Sequence, residues 1–294
     1  AYVDLLKDIH AVLILQYEDC LFLETCKDTR TKNLGEVLFQ KRANQIYQAT
    51  YKKQAIYPRK AQETNMEGYV ILAFDIDKSS ITNAIDNKSI SGALNALDDL
   101  GNTDFKDSLV IISTPPNSSI EVLQSLHFLF NSSVTITDTT SAKNSLHKSL
   151  QKLNFPKNII FSHPVAGSHL SGEINSVSGL FEGKSTVLSY HDSASLMHIN
   201  RVTSLWELLG SNVTVLDAEL HDQIFAYTSH LPHVVAYALL NTLKGLNKDD
   251  LAIFSGGGLG EFLRLVSSSP EMWTDIFSMN EKNISCLLYT SPSP

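Results

Sequence analysis

The amino-acid sequence predicts an α/β protein in which a parallel sheet flanked by helices is followed by an all-helical part. Three observations support this class. Short apolar runs alternate with helical segments between residues 68 and 217. Several of these runs, such as Ser108-Leu-Val-Ile-Ile-Ser113, lack polar alternation, which is typical of parallel strands buried on both faces. From Asp217 onward the pattern is helical. Alternating strands and helices joined by short loops predict right-handed crossovers.

The individual elements follow from local signals. Pro115 and Pro116 end the strand at Ser113 because proline cannot continue a ladder. Gly210 suits a helix C-cap, and Asp217 suits an N-cap. Pro232 predicts a kink in the following helix, and Pro270 predicts the first turn of another. The predicted strands cover residues 69–74, 108–113, 134–137, 158–161, 185–189 and 212–216. The predicted helices cover 120–130, 144–153, 195–209, 218–243, 261–267 and a segment from 270.

Composition narrows the range of functions. The chain has 294 residues, 43% of them hydrophobic, which is ample for a packed core. Its formal net charge of −8 argues against nucleic acid or an anionic membrane as the main partner. No apolar run approaches the roughly 20 residues of a membrane span, and no secretory signal pattern opens the chain. The three cysteines have no metal-ligand spacing, so the sequence predicts a cytoplasmic protein without a bound metal.

Both ends of the chain depart from this regular pattern. Residues 1–66 contain no recognisable motif beyond a possible amphipathic helix over 2–24, and they lack the Gly-rich turn of a dinucleotide fold. We expect this stretch to be out of frame or chimaeric, or else a genuine N-terminal extension whose strand is not recognisable. The last nine residues, 286–294, look like translated adaptor sequence, and we expect the natural chain to continue differently after Ile284.

Polar residues follow successive strands at the edge where ligands bind in open α/β sheets. Asp75 ends the first clear strand and could accept hydrogen bonds from a ribose, although Asp77 equally suits a helix N-cap. Thr114 and Ser141 follow the next two strands. His163 follows the fourth, where Pro164 should stop the strand and Gly167 permits close approach of a ligand. A histidine in this position can also be purely structural, so the pattern alone leaves both readings open.

With these segments assigned, the chain from about Gly68 to Ile284 resembles the prephenate/arogenate dehydrogenase family. Four motifs carry the resemblance, in the expected order and spacing. They are the loop Asp138-Thr-Thr-Ser-Ala-Lys143; His163-Pro-Val-Ala-Gly167 with Ser171-Gly172; His221-Asp222 with Ser229-His-Leu-Pro-His233; and Gly256-Gly-Gly with Phe262-Leu-Arg264 and Pro270-Glu-Met-Trp273.

The resemblance implies NAD-dependent oxidative decarboxylation of prephenate to 4-hydroxyphenylpyruvate in tyrosine biosynthesis, with NADP a less favoured cofactor. It implies a Rossmann-like domain over residues 67–217 and a helical substrate and dimerisation domain over 218–285, giving a homodimer. His163 matches the catalytic base and Ser141 the serine that orients it. The residues implied to bind substrate are Arg264, His233, His230, Gly167, Ser168 and His169, and those implied to bind cofactor are Asp75, Ser113, Thr114, Pro115 and Thr140.

Two departures from the family pattern bear on function. His169 stands where the family often has Glu, which changes the charge near the substrate. The Gly-rich turn that should precede Gly68 is missing, and that turn normally holds the pyrophosphate.

Three alternatives to prephenate dehydrogenase follow. Arogenate could be the substrate instead. The chain could be a non-catalytic dimeric binding module, or an inactive fragment, that lacks the cofactor cradle. A hydroxyacid dehydrogenase on the same fold is less favoured, because the helical part lacks the expected lysine base. Outside the resemblance, His221 and His230 would be core or helix-surface histidines and Arg264 a surface charge. Even within it, His221 is predicted to be structural, together with Asp222.

Overall fold

The computed structural model describes residues 11–16, 70–101, 105, 108–166, 179–243, 257–267 and 269–290. A five-stranded sheet has the order β3-β2-β1-β4-β5, and a three-stranded sheet has the order β6-β7-β8. The strands are β1 Ala11–Gln16, β2 Val70–Asp75, β3 Gly92–Ala93, β4 Leu109–Ser113, β5 Thr135–Asp138, β6 Phe161–Pro164, β7 Ser185–Ser189 and β8 Asn212–Val215.

Helices cover both faces of the sheets and then form the C-terminal part. They are α1 Lys78–Asp86, α2 Pro116–Ser125, α3 Asn144–Leu150, α4 Leu196–Leu208, α5 Ala218–Phe225, α6 Leu231–Leu243, α7 Gly257–Leu265, α8 Pro270–Met279 and α9 Glu281–Thr290. Short 3-10 turns extend α2 and α3, and a π-helical turn, Ala226–His230, joins α5 to α6. Within the described residues, no helix is long and apolar enough to cross a membrane.

Strand β4 shows why the apolar runs are continuous. Leu109 and Ile111 pack in a cluster with Trp206 of α4, while Val110 and Ile112 pack on the opposite face in a cluster with Leu123 of α2. All four of these strand residues are at most 1% exposed. A strand covered on both faces has no solvent side, so no polar alternation is needed. The predicted α/β class and helical C-terminal part are therefore confirmed.

The prediction of an all-parallel sheet is only partly right. The pairs β2–β3, β4–β5 and β7–β8 are parallel, but β6 and β7 are antiparallel. Strand β1 lies between β2 and β4 and is antiparallel to both. The helix predicted over residues 2–24 is wrong for Ala11–Gln16, because this apolar run satisfies the ladder hydrogen bonds of two neighbouring strands that would otherwise be unpaired.

Several element ends also differ from the prediction. Helix α2 begins at Pro116 rather than residue 120, since proline suits the first turn. Helix α7 begins at Gly257, inside the glycine run that was predicted to be a turn. Helix α9 continues through Thr290, whereas the sequence predicted that the helical pattern ends before Cys286. Leu287 lies three residues after Ile284 and packs in the same cluster, which explains the continuation. The predicted caps at Asp217 and Gly210 are confirmed, with Gly210 at φ +80°.

Candidate active site

His163 lies within β6, not in a loop after the strand as predicted. In the antiparallel pairing of β6 with β7, His163 lies opposite Val187 and Pro164 lies opposite Thr186. Pro164 is tolerated because it is the last residue of β6 and this strand lies at the end of its three-stranded sheet. The His163 side chain is 6% exposed, and its ring packs against Phe225 of α5 with centroids 4.4 Å apart. The sheet domain and the helical part thus meet at this imidazole.

A chain of hydrogen bonds runs from His163 into the helical part. His163 Nδ1 lies 2.9 Å from His221 Nε2, and His221 Nδ1 lies 2.8 Å from Asp222 Oδ1. We call His163, His221 and Asp222 the histidine relay. His221 and Asp222 are at most 1% exposed. Burial lowers the pKa of His221, and the hydrogen bond to Asp222 opposes this effect only in part, so the ring is neutral near pH 7.

The relay fixes the tautomer of the catalytic candidate. The Asp222 carboxylate can only accept, so the single ring proton of His221 is on Nδ1. His221 Nε2 is then an acceptor and must receive the Nδ1 proton of His163. Neutral His163 therefore has an unprotonated Nε2, which is the atom that a general base requires. The expectation that His221 is merely structural misses this contact with His163.

Asp222 also links the helical part to the sheet domain through hydrogen bonds. Its Oδ1 accepts from Lys143 N at 2.8 Å, and its Oδ2 accepts from Asn144 N at 2.9 Å. These N–H groups lie at the start of α3, where a carboxylate is favoured by both hydrogen bonding and the helix dipole. Asp222 of α5 therefore caps α3 of the sheet domain.

A buried ion pair supports the strand that carries His163. Lys143 Nζ contacts Asp138 Oδ2 at 2.6 Å, with the two side chains 0% and 1% exposed. Burial lowers the pKa of Lys143, and the charge of Asp138 opposes that effect. Asp138 Oδ1 accepts from Ser162 N at 3.0 Å, which holds the residue next to His163. Thr140, a predicted cofactor ligand, is buried and donates its hydroxyl to Asp138.

Ser141 is half-buried in the loop between β5 and α3. In the part of the chain that the structure describes, the Ser141 hydroxyl has no hydrogen-bond partner, so the predicted contact between Ser141 and His163 is not seen there. Gly167, Ser168 and His169, predicted to bind substrate, lie outside the described residues.

Two further histidines lie on the helical side. The His233 ring stacks on Trp273 with centroids 3.5 Å apart, and its Nδ1 lies 2.8 Å from Ser229 O. Burial lowers the pKa of His233, and the positive charge of Arg264, whose side chain is exposed, adds to this effect. His230 is fully buried, and burial lowers its pKa to about 4. Of the predicted set, His230 and His233 thus meet around the Trp273 ring, and Arg264 lies on α7.

The strand ends of the five-stranded sheet match a dinucleotide-binding fold only in part. Asp75 is the last residue of β2, and Ser113 is the last residue of β4, followed by Thr114. The Thr139 hydroxyl, just after β5, donates to Ser113 Oγ at 3.3 Å, so the ends of β4 and β5 are adjacent. Pro115 begins the connection to α2. Asp75 is 3% exposed and accepts from Asp77 N, while Asp77 caps α1 as the alternative interpretation predicted.

Strand β1 does not match the strand that precedes the phosphate-binding turn of a dinucleotide fold. Its first residue, Ala11, pairs with Asp75 and Ser113, so its carboxyl end lies at the opposite edge of the sheet. A phosphate-binding turn must follow a strand at the ligand edge. Within the described residues, therefore, no turn for a pyrophosphate follows β1 at the edge of Asp75 and Ser113.

The family models agree with this two-part architecture. Residues 59–215 match the model described as prephenate dehydrogenase, nucleotide-binding domain, and residues 217–289 match prephenate dehydrogenase, dimerization domain. The chain belongs to the prephenate dehydrogenase family. The predicted resemblance and the two-domain fold class are confirmed.

Individual relatives are about one third identical to the chain over the segments that align. A cyclohexadienyl dehydrogenase of Zymomonas mobilis is 32% identical over 63% of this chain and 64% of its own. A prephenate dehydrogenase of Bacillus subtilis is 31% identical over 60% of this chain and 48% of its own. The matched part thus spans about half to two thirds of these curated relatives. The crystal structure of Aquifex aeolicus prephenate dehydrogenase with hydroxyphenyl propionate and NAD+ has 31% identity and a TM-score of 0.69, covering 79% of this chain and 81% of that one.

Proposed function

We propose that this protein converts prephenate to 4-hydroxyphenylpyruvate by oxidative decarboxylation, as a prephenate dehydrogenase of tyrosine biosynthesis. The observation that carries the proposal is the histidine relay, which leaves His163 Nε2 unprotonated at the junction of the two domains. A general base at this junction suits a reaction that begins by removing a hydroxyl proton.

The reaction balances with one proton, one hydride and carbon dioxide. His163 Nε2 takes the proton of the ring 4-hydroxyl, and the C–O bond becomes a carbonyl that ends as the phenol of the aromatic product. The ring carboxylate leaves as carbon dioxide, and its bonding electrons enter the ring. A bound nicotinamide dinucleotide would accept the hydride that leaves the ring carbon bearing the hydroxyl. Loss of carbon dioxide gives a phenolate, and the proton held by His163 returns to its oxygen. The imidazolium that forms is stabilised through His221 by the Asp222 carboxylate.

The remaining site residues bind and orient the substrate in this proposal. Arg264 binds the ring carboxylate through its planar guanidinium, and Ser141 hydrogen-bonds the 4-hydroxyl. His233 and His230 contact the substrate side chain, together with Gly167, Ser168 and His169. The exposed guanidinium of Arg264 leaves it accessible to an anionic ligand. The complex of the Aquifex aeolicus enzyme with hydroxyphenyl propionate and NAD+ supports a phenol-bearing carboxylate and NAD as ligands.

Arogenate is the alternative substrate, and it differs only by an amino group in place of the side-chain keto group. His233 and His169 are the proposed discriminators. Among cofactors we propose NAD rather than NADP, because the Asp75 carboxylate would repel a 2′-phosphate. Ser113, Thr114, Pro115 and Thr140 are the further proposed cofactor contacts.

We further propose a cytoplasmic homodimer. The family model for residues 217–289 is a dimerization domain, and α5, α6 and the turn between them expose large apolar side chains. Leu220, Ile224, Tyr227 and Val235 are 37–64% exposed. A second copy of the chain would cover this surface. The cytoplasmic location rests on the few cysteines.

One observation favours a second candidate, a binding module or inactive fragment that takes the substrate but not the cofactor. It is the antiparallel β1, whose carboxyl end lies at the opposite edge of the sheet from Asp75 and Ser113.

The deciding experiment is NADH formation by absorbance with the purified full chain, NAD and either prephenate or arogenate, beside NAD titration by calorimetry. Turnover supports the enzyme and identifies the substrate. Absence of both turnover and NAD binding, with hydroxyphenyl propionate still binding, would support the second candidate.

A further inference from the structure

Asn280 connects the histidine relay to His230. It follows α8 directly and is 3% exposed. Its Nδ2 donates to Asp222 O at 2.7 Å and lies 2.9 Å from His230 Nδ1, while its Oδ1 accepts from Asn283 Nδ2 at 2.8 Å. A single amide therefore contacts the backbone of a relay residue and the ring of a neighbouring histidine.

The orientation of this amide is fixed by its partners. A backbone carbonyl can only accept, so the atom facing Asp222 O must be the nitrogen, and the donor from Asn283 agrees with the oxygen on the other side. The two hydrogens of Nδ2 then point at Asp222 O and at His230 Nδ1. His230 Nδ1 must accept, so a neutral His230 carries its proton on Nε2.

His230 Nε2 is a buried donor without a hydrogen-bond partner in the described parts of the chain. Such a group is costly to leave unpaired, which is why nearly all buried donors in folded proteins have an acceptor. The π-helical turn Ala226–His230 ends at this residue, and π turns inside helices are frequent at functional sites. The Trp273 ring that stacks on His233 also meets His230 edge-on at 6.2 Å. His230 thus lies between the relay and the proposed substrate pocket.

We infer that Asn280 is a positioning residue for the proposed reaction: it holds His230 as the Nε2–H tautomer, so that this nitrogen donates to an oxygen of the bound substrate. The two neutral histidines then have opposite tasks. His163 presents an unprotonated Nε2 and accepts a proton, whereas His230 presents a protonated Nε2 and donates a hydrogen bond. The inference rests on the proposed function for the identity of the substrate, but the tautomer itself does not depend on turnover.

Nitrogen NMR of ¹⁵N-histidine-labelled full chain tests the tautomer directly, because protonated and unprotonated ring nitrogens resonate far apart. The His230 signals are assigned by their loss in His230→Gln. We expect Nε2 of the unaltered protein to be protonated and Nδ1 unprotonated near neutral pH. A proton on Nδ1 would overturn the inference without any appeal to activity.

Asn280→Asp tests the consequence. A carboxylate can only accept, so it should draw the His230 proton to Nδ1 and remove the Nε2 donor. We expect the KM for prephenate to rise about 10- to 100-fold, the range for a lost hydrogen bond to a charged group, with kcat changed much less. Binding of hydroxyphenyl propionate, measured by calorimetry without cofactor, should weaken in parallel. Asn212→Asp makes the same exchange on the exposed strand β8 and should leave all three readouts unchanged.

The outcomes separate the inference from the function on which it rests. Unaltered protein that shows the Nε2–H tautomer and binds hydroxyphenyl propionate, yet turns over neither substrate, would contradict the proposed function and leave the positioning role supported. Two results for a folded Asn280→Asp protein would overturn the positioning role. Either the His230 proton is still on Nε2, or the proton has moved to Nδ1 and ligand affinity is unchanged. Circular dichroism establishes folding, and the spectrum of the unaltered protein remains decisive if the variant does not fold.

Discussion

At the scale of single residues, the chemistry of His163 is set by its neighbours. An isolated imidazole exchanges its proton between two nitrogens, but here His221 and Asp222 hold it on Nδ1 and leave Nε2 unprotonated. His163→Asn keeps an amide near the position of Nδ1 and removes the basic nitrogen. We expect kcat to fall about 10²- to 10⁴-fold, the usual contribution of a general base, while hydroxyphenyl propionate affinity changes little.

Steady-state NADH formation and calorimetry measure these two effects. His191→Asn is the matched control, since His191 is exposed and stacks on Phe155 at 4.0 Å rather than joining the relay. Turnover of His163→Asn within a few-fold of the unaltered protein would remove His163 as the base.

The burial of His230 predicts that the free energy of unfolding depends on pH. Burial lowers its folded-state pKa from 6.5 to about 4, so the unfolded chain binds a proton between these values and the folded protein does not. The stabilisation is therefore present above pH 6.5 and is lost as the pH falls toward 4. Between about pH 7.5 and pH 5 the loss from this residue is about 2 kcal/mol.

Urea unfolding at these two pH values, monitored by Trp fluorescence, measures the loss. His230→Gln does not titrate, so the difference in unfolding free energy between the two pH values should shrink by that amount. An unchanged pH difference would show that His230 titrates normally in the folded protein.

At the scale of elements, the two caps supplied by aspartates have different importance. Asp217 caps α5 from an exposed position, whereas buried Asp222 caps α3 across the domain junction and also receives His221. Asp217→Ala should cost about 1 kcal/mol, as for an ordinary cap. Asp222→Ala leaves two N–H groups and an imidazole without their acceptor, and we expect a loss of about 3 kcal/mol.

Thermal or urea unfolding of the two variants provides the comparison. Equal losses would mean that the contacts of Asp222 across the junction contribute nothing beyond a local cap.

The elements also show what the sequence can and cannot predict. Strands such as β4 were recognisable because burial on both faces leaves a continuous apolar run. The orientation of β1 cannot be recognised from the sequence, since it depends on which neighbouring strands lack partners and not on the local residue pattern. In the candidate site, the prediction of His163 comes from its place beside a predicted strand end and from the family motif, and it stays a prediction. The contact between His163 and His221 and the role of Asn280 were missed, because residues 58 apart in the chain share no periodic signal.

At the scale of the whole molecule, cofactor binding depends on the first strand. The described residues place the amino end of β1 beside Asp75 and Ser113, where the nucleotide-binding domain needs a carboxyl end followed by a glycine turn. A chimaera tests this directly: residues 1–66 are replaced by the corresponding first strand and turn of the Aquifex aeolicus enzyme. Each charge-assisted hydrogen bond to the pyrophosphate contributes about 1.5–3 kcal/mol. Two restored bonds should therefore tighten NAD binding by at least about 100-fold.

Calorimetric titration of NAD into the full chain and the chimaera gives the result. Asp75→Asn in the chimaera is the matched control for correct docking of the nucleotide. It should weaken NAD binding and reduce the ratio of NAD affinity to NADP affinity. Hydroxyphenyl propionate should bind both proteins alike, because the relay, His230, His233 and Arg264 all lie outside the exchanged residues. Equal NAD affinity in the full chain and the chimaera would instead show that the present N-terminal residues complete the cofactor site.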